Sequence, residues 1–246
     1  LSSSSAASDV YKRQGLMTAS QVQSAIRKAE GSGSHYPDGK LVCVENTSNL
    51  GGGACYTQEA LDEIAAVAKE NDCATHIDGA RIFNAAITTG VDVARMCRDY
   101  DSVSICLSKG LGAPVGSVLV GSQEFINKAH RWRKMFGGGW RQAGVLAAAG
   151  LYTLDHHIER LEEDHVRARR VAEAINAMDN FSVDMDAVQS NLVYVNCNIP
   201  AADVVSSLGE HGIDMFDLPY NRVRVAIHLH ITDEDVERII AAFAAQ

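Results

Sequence analysis

The sequence lacks several features that would assign it to a specific class at once. Its six cysteines are scattered, and no two of them form a Cys-X-X-Cys pair. This pattern predicts buried thiols in a reducing compartment rather than disulfides or a zinc site. No uninterrupted apolar run is long enough to span a bilayer. The net charge of −9 argues against nucleic acid or an anionic membrane as the main partner.

The composition is that of an ordinary soluble globular protein. Apolar residues make up 46% and charged residues 22% of the 246 positions, which is close to the usual values. This length allows one large domain or two ordinary ones. The chain contains no internal repeat and no heptad pattern. We therefore expect a cytoplasmic globular protein.

Residues 1–14 do not resemble the start of a domain. The segment is serine-rich, has no apolar period and does not begin with methionine. It also lacks the charged start and the apolar core of a secretory signal. We interpret it as a non-native or disordered segment joined to a truncated reading frame, with a natural disordered tail as the alternative. It is excluded from the fold argument.

From Gly15 onwards, the apolar pattern changes repeatedly between strand and helix. Residues 41–44 form a continuous apolar run, which is typical of a buried parallel strand. Thr57 is a suitable N-cap for a helix whose apolar positions recur at helical spacing: Leu61, Ile64, Ala65 and Ala68. Residues 156–246 alternate short strands and helices, which predicts a small α+β domain. We place the domain boundary at the junction 155–157.

Residues 104–112 place a lysine at the end of a predicted strand. Strand-type residues precede Lys109, small residues follow it, and a second apolar run occupies residues 115–121. A lysine in this position points off the end of a sheet, where α/β enzymes bind ligands. A desolvated amine loses its proton more easily and can form a Schiff base. Taken alone, the stretch also fits a solvated loop lysine.

Residues 73–81 place an acid at the end of another predicted strand. Alternate residues of a strand share a face, so His76 and Asp78 point the same way. An aspartate in the same crevice as Lys109 can pair with a protonated ring nitrogen, which a pyridine cofactor needs in order to act as an electron sink. Arg81 follows Asp78 closely, so an Asp–Arg ion pair on a loop is the alternative.

Four stretches follow one another in an order found in a known enzyme family: residues 45–53, 76–84, 106–116 and 131–150. Together they closely resemble the low-specificity L-threonine aldolases. These form the threonine aldolase/β-eliminating lyase group of fold-type-I pyridoxal-phosphate (PLP) enzymes. The resemblance implies an α/β fold. Residues 15–155 would form a partial large domain, a mainly parallel sheet with helices on both faces, and the small domain would follow it.

The resemblance also implies roles for individual residues. Lys109 would form the Schiff base with PLP, and Asp78 would pair with the pyridinium nitrogen. Arg81 would lie near the substrate carboxylate and a cofactor oxygen. Arg224 would bind the amino-acid carboxylate, a role that suits the two-pronged guanidinium group. Arg141 resembles a residue that reaches the cofactor phosphate across the subunit interface of a homodimer or homotetramer.

The match between this chain and the family is less complete at two positions, His35 and Ser48, and in one region that the chain lacks. His35 matches a family histidine near the substrate hydroxyl, with an ordinary loop histidine as the alternative. Ser48 stands where the family often has histidine, so this chain departs from the family pattern at that position. The family begins before the point matched by Gly15, in a region that would bind the cofactor phosphate and stack on its ring. We therefore expect the chain as given to bind PLP weakly and to be a poor enzyme.

The implied activity is retro-aldol cleavage of L-threonine, L-allo-threonine and related β-hydroxy-α-amino acids to glycine and an aldehyde. The proton of the β-hydroxyl would pass to His35, to a water or to a residue of the missing region. Another fold-type-I PLP enzyme, a β-eliminating lyase or an aminotransferase, is the alternative, because all of them need the lysine and the acid. An inactive fragment of such an enzyme is a further alternative.

Overall fold

The computed structural model describes residues 15–28 and 38–246. The segment 1–14, predicted to be non-native or disordered, and His35 lie outside the described residues. The described residues form an α/β structure with two four-stranded sheets. Each sheet packs on its own hydrophobic cluster, one formed by residues 22–103 and the other by residues 168–243.

The first sheet has the strand order β1-β2-β3-β4. Its strands are β1 (Leu41–Glu45), β2 (Ala74–Asp78), β3 (Ser102–Cys106) and β4 (Ser117–Gly121). β1, β2 and β3 run parallel, and β4 runs antiparallel to β3. The carboxyl ends of the three parallel strands therefore meet at one edge of the sheet.

Helices precede, connect and follow these strands. They are α1 (Ala19–Ala25), α2 (Gln58–Glu70), α3 (Ile82–Thr89), α4 (Val93–Cys97), α5 (Gln123–Met135) and α6 (Gly144–His156). The sequence pattern did not predict α3. Its N-cap residue makes no side-chain capping bond, so the usual start signal is missing.

The predicted apolar stripe of α2 is confirmed. Thr57 accepts a hydrogen bond from the Ala60 backbone N–H at 3.2 Å, as expected of an N-cap. All four stripe residues are buried and belong to the first hydrophobic cluster: Leu61, Ile64, Ala65 and Ala68. The helix is therefore held to the sheet by apolar burial along this face.

The prediction that residues 41–44 form a fully buried strand is only half right. Val42 and Val44 are buried, but Leu41 is 58% exposed and Cys43 is also exposed. The reason is that β1 is an outer strand of the described sheet and is covered on one face. The expectation of buried thiols therefore fails at Cys43. All six cysteines are free.

The second sheet has the order β5-β6-β8-β7, and its neighbouring strands are antiparallel. Its strands are β5 (Phe181–Val183), β6 (Leu192–Cys197), β7 (Phe216–Leu218) and β8 (Arg222–Ala226). Its helices are α7 (Leu161–Asn176), α8 (Ala201–Glu210) and α9 (Asp233–Ala244). All three helices contribute buried side chains to one cluster with the strands, which gives the predicted α+β arrangement.

The segment from β4 to α6 presents apolar side chains to solvent. All five residues of β4 are exposed, and α5 contributes no buried residue. Phe136 is 82% exposed and Val145 is 83% exposed. We refer to residues 115–152 as the β4–α6 surface. Within the described residues, none of the helices has both the length and the apolar character needed to cross a membrane.

The packing of α2 generates a stability prediction. Leu61→Ala removes a side chain that is 0% exposed, so we expect the free energy of unfolding to fall by about 2–5 kcal/mol. Val166→Ala is the control, because Val166 lies in helix α7 but is 65% exposed and is outside the β4–α6 surface. Its effect should stay within about 0.5 kcal/mol. Urea unfolding followed by circular dichroism measures both. Equal losses in the two variants would contradict the assignment of the core.

Candidate active site

The carboxyl ends of the parallel strands place two acidic side chains side by side. Glu45 ends β1, Asp78 ends β2, and their Cα atoms are register partners. Asp78 is in turn the register partner of Ser104 in β3. The Gly79 N–H donates to the Ser104 carbonyl at 2.8 Å, so the turns that follow β2 and β3 leave the sheet at the same edge.

Lys109 lies in the turn after β3, and its side chain is exposed, so the desolvation expected for its amine is not observed among the described residues. The His157 Nδ1 atom is 2.6 Å from the Leu111 carbonyl oxygen; because this oxygen can only accept, Nδ1 carries the proton. Gly112 has a φ of +73°, and a Cβ there would lie 2.0 Å from Leu229 Cδ2. The turn therefore needs glycine at this position, which explains the small residues that follow Lys109.

Asp78 lies at the end of β2 with an accessible carboxylate. Its Oδ1 atom accepts a hydrogen bond from the Ala80 N–H at 3.1 Å, which orients the group. His76 shares its face of the strand, as the alternation predicted, and the His76 Nδ1 atom is 2.8 Å from Ser102 Oγ. The described residues show no ion pair between Asp78 and Arg81, so the alternative of an Asp–Arg loop pair is not observed.

Arg81 is a half-buried cation beside this edge. Burial is the largest cause that lowers its pKa, and the nearby positive charge of Arg224 lowers it further. Its Nε atom is buried and finds no hydrogen-bond partner in the described part of the chain. A buried cation with an unsatisfied donor is costly unless an anion or an acceptor completes it. The site is therefore arranged for an anionic ligand.

Glu45 is a further member of the site, and sequence reasoning had not assigned it a role. Burial raises the pKa of its carboxyl, while the Asn49 backbone N–H lowers it. The charge of Asp78 raises the same pKa, and the charges of Arg81 and Lys109 lower it. Such charge effects act over short distances, so Glu45, Asp78, Arg81 and Lys109 form one charge cluster.

Arg224 reaches this cluster from the second sheet. It lies in β8, and its Nη1 atom donates to Asn49 Oδ1 at 3.1 Å. Tyr194 is its register partner on β6, and the buried Tyr194 hydroxyl has no hydrogen-bond partner among the described residues. Tyr194 is also close enough to influence the pKa of Arg81. Two guanidinium groups and a hydroxyl therefore converge, which suits the binding of a carboxylate.

Sequence reasoning missed Asn49 and Tyr194 as members of the site. The only available signal for Tyr194 was a polar side chain between the buried residues Val193 and Val195, which places it on the opposite face of β6. Asn49 gave no signal beyond a polar loop, because its partner Arg224 is 175 residues away in the chain.

The other predicted positions lie outside the cluster. Arg141 is exposed in the loop between α5 and α6 and makes no hydrogen bond or ion pair with the residues that the structure describes. Ser48 is buried, and its Oγ atom accepts from the Gly51 N–H at 3.3 Å. His35 is outside the described ranges. In those ranges, no group of three or more His, Cys, Asp or Glu side chains could hold a metal ion.

The arrangement of the strands and helices can be compared with that of solved structures, and the comparison defines a fold class. A threonine aldolase from Leishmania major superimposes with a TM-score of 0.78 at 20% identity, covering 94% of this chain and 68% of that one. A serine palmitoyltransferase from Sphingomonas wittichii gives a TM-score of 0.64 at 20% identity, covering 96% and 57%. At these identities the likeness shows the fold alone. The predicted α/β fold of type I is thus confirmed.

The family follows from the sequence comparison. The family model described as beta-eliminating lyase matches residues 1–198, and the chain belongs to this family. It is 43% identical over 233 residues to a probable low-specificity L-threonine aldolase 2 of Arabidopsis thaliana, covering 93% of this chain and 65% of the relative. It is 39% identical over 214 residues to the low specificity L-threonine aldolase of Escherichia coli K12, covering 86% and 61%. The chain thus spans about two thirds of these relatives.

Asn84, which closes the second family stretch, is held by a half-buried histidine of α7. Its Nδ2 atom is 2.9 Å from His165 Nε2, and Thr88 Oγ1 is 3.4 Å from His165 Nδ1. Thr88 Oγ1 donates to the Gln189 carbonyl at 2.6 Å, so Nδ1 is the donor and Nε2 the acceptor. Burial lowers the pKa of His165 to about 4, although Asp164 acts in the opposite direction. The ring is therefore neutral near pH 7.

This histidine generates a prediction about pH. The pKa of His165 is about 4 when folded and 6.5 in its reference state, so the unfolded chain binds the proton first. Between these values the free energy of unfolding falls as the pH falls, by up to about 1.4 kcal/mol per pH unit. Urea unfolding at several pH values measures this slope.

His165→Gln should remove this contribution and give a shallower pH dependence, because glutamine does not titrate. His211→Gln is the control, because His211 is exposed, and it should keep the slope of the wild-type chain. A His165→Gln slope as steep as that of the wild-type chain would refute the assignment.

Proposed function

We propose that the protein is a PLP-dependent aldehyde-lyase that cleaves L-threonine, L-allo-threonine and related β-hydroxy-α-amino acids to glycine and an aldehyde. The observation that carries this proposal is the meeting of Lys109, Asp78, Arg81 and Arg224 at one edge of the sheet. The relatives named as low-specificity L-threonine aldolases, at 43% and 39% identity, support the reaction class.

The residues present fit PLP. An exposed carboxylate ends β2, and an exposed lysine amine lies in the turn after the neighbouring strand β3. Pairing with the cofactor ring nitrogen requires the first, and attachment to the cofactor aldehyde requires the second. The buried Arg81 Nε–H lacks a partner in the described part of the chain and would donate a hydrogen bond to a cofactor or substrate oxygen. When bound, PLP supplies an electron sink for bond cleavage at the α-carbon of an amino acid.

The chain's own residues would then bind the substrate, hold the ring-nitrogen proton and accept the hydroxyl proton. Arg224 and Arg81 would bind the substrate carboxylate, and this would orient the bond that is to break. Asp78 would hold the proton on the ring nitrogen, because a carboxylate beside a pyridinium favours its charged form. We propose His35 as the acceptor of the β-hydroxyl proton.

We further propose a cytoplasmic homodimer or homotetramer. The β4–α6 surface supports an assembly, because exposed apolar patches of this kind are typical of protein interfaces. Arg141 lies within this surface, which fits a residue that reaches the cofactor phosphate of a neighbouring subunit.

The family description favours β-elimination as a second candidate reaction. The two reactions give different products from suitable substrates. Retro-aldol cleavage of L-threonine releases glycine and acetaldehyde, whereas β-elimination releases ammonia and a 2-oxo acid. Chromatography of the products formed with PLP distinguishes them, and a 2-oxo acid without glycine would reject the aldolase proposal.

The role of Lys109 is tested by covalent labelling. Borohydride makes a carbon–nitrogen link between a lysine and the PLP aldehyde permanent, so peptide mass spectrometry should find the label on Lys109. Lys109→Arg should abolish this label, because arginine cannot form the link, whereas Lys128→Arg on exposed α5 should keep it. Labelling of a different lysine in the unmodified protein would remove Lys109 from this role.

The role of Asp78 is tested by a substitution that preserves shape. Asp78→Asn should lower kcat for glycine formation by about 100-fold or more, because an amide cannot keep the ring nitrogen charged. Asp203→Asn, at an exposed position of α8, is the matched control and should leave kcat unchanged. A coupled assay for acetaldehyde measures both rates. Full activity in Asp78→Asn would contradict the assignment.

A further inference from the structure

The loop formed by residues 46–55, which follows β1, is bound by three hydrogen bonds to the second sheet and to the loop that precedes β6. The Cys55 N–H donates to Gln189 Oε1 at 2.9 Å, and Ser190 Oγ donates to the Gly53 carbonyl at 3.0 Å. The third point is the bond from Arg224 Nη1 to Asn49 Oδ1 at 3.1 Å. The first two join loop to loop, whereas the third involves a candidate substrate-binding side chain.

Asn49 is also held by a hydrogen bond to a residue of the first sheet. Its backbone N–H donates to Glu45 Oε2 at 3.1 Å, and Glu45 ends the strand beside Asp78. Glu45, Asn49 and Arg224 therefore form a continuous hydrogen-bonded chain from the cofactor side of the site to its substrate side. The bond to Asn49 uses one of the five N–H donors of the Arg224 guanidinium, and the described residues accept a hydrogen bond from none of the others.

The orientation of Arg224 needs such an acceptor. Arg81 lies close enough for the charges of the two guanidinium groups to repel each other, and repulsion alone would push the movable Arg224 side chain away. A neutral amide oxygen attracts Arg224 without adding a negative charge that would compete with a ligand. An aspartate at the same position would pair with Arg224 and occupy it.

We propose that Asn49, anchored by Glu45, is a positioning residue that holds Arg224 ready for the carboxylate of the substrate. Asn49 thereby sets the preference of the site for amines that carry a carboxylate. The inference rests on the proposed amino-acid substrate, and it adds a residue that determines how that substrate is recognised.

The first measurement needs no cofactor. Phenylglyoxal modifies accessible arginines, and peptide mass spectrometry gives the rate at Arg224 relative to Arg170, which is exposed and lies outside the β4–α6 surface. Asn49→Ala should raise this relative rate about threefold or more, because a hydrogen bond to a charged group is lost. Asn49→Asp should lower it. Asn127→Asp adds the same charge on exposed α5 and should leave the rate unchanged.

The second measurement uses two small amines and a PLP concentration that saturates the protein, because the chain is expected to bind PLP weakly. Glycine carries a carboxylate and ethanolamine does not, and cofactor absorbance reports the binding of each. Asn49→Ala should weaken glycine binding about tenfold and leave ethanolamine binding unchanged. Asn49→Asp should weaken glycine binding further, because its carboxylate competes for Arg224. If the substitution merely disturbed the loop, the binding of glycine and the binding of ethanolamine would be weakened by the same factor.

The two measurements separate the possible failures. If neither amine changes the absorbance of the wild-type protein, the proposed function fails, and the reactivity of Arg224 still decides whether Asn49 holds it. The inference is overturned if Asn49→Ala leaves the reactivity of Arg224 unchanged, or if it weakens the binding of glycine and ethanolamine by the same factor.

Discussion

Parallel pairing of β1, β2 and β3 is the constraint on which the candidate site depends. Because all three strands run the same way, their carboxyl ends and the turns that follow them lie at one edge of the sheet. Glu45, Asp78 and the turn with Lys109 reach this edge from separate parts of the chain. The backbone hydrogen bonds of the sheet thus set the spacing of the charges, and no side chain has to be extended far to meet another.

The charges of the site are balanced only when a ligand is included. Three cations, Lys109, Arg81 and Arg224, meet two carboxylates, and burial opposes the charged state of both Glu45 and Arg81. Desolvated charges of this kind are expensive unless they are paired. A phosphate- and carboxylate-bearing cofactor–substrate pair would supply the missing negative charge. The same reasoning explains why the site uses arginines, which remain charged when they are buried.

Sequence reasoning predicted the parts of the structure that local chemistry determines. Thr57 and the stripe of α2 followed from helix capping and periodicity, and Lys109 and Asp78 followed from their places after apolar strands. It missed α3, which lacks a side-chain cap, and the three-residue strands β5 and β7, which are too short to show alternation. It also missed the contact of Asn49 with Arg224, because only the folded chain brings two sheets together at that point.

Gly53 shows how closely those sheets approach. Its φ is +85°, and a Cβ at this position would lie 2.3 Å from Ser190 Oγ and 3.2 Å from Leu192 Cβ. Because Gly53 has no side chain, the loop after β1 can pack directly against the start of β6. A single added methyl group would strain the backbone at this positive φ, and it would have to displace Ser190 Oγ, which donates to the Gly53 carbonyl. One carbon atom at Gly53 would therefore loosen the contact between the part of the chain that carries Arg224 and the part that carries Lys109 and Asp78.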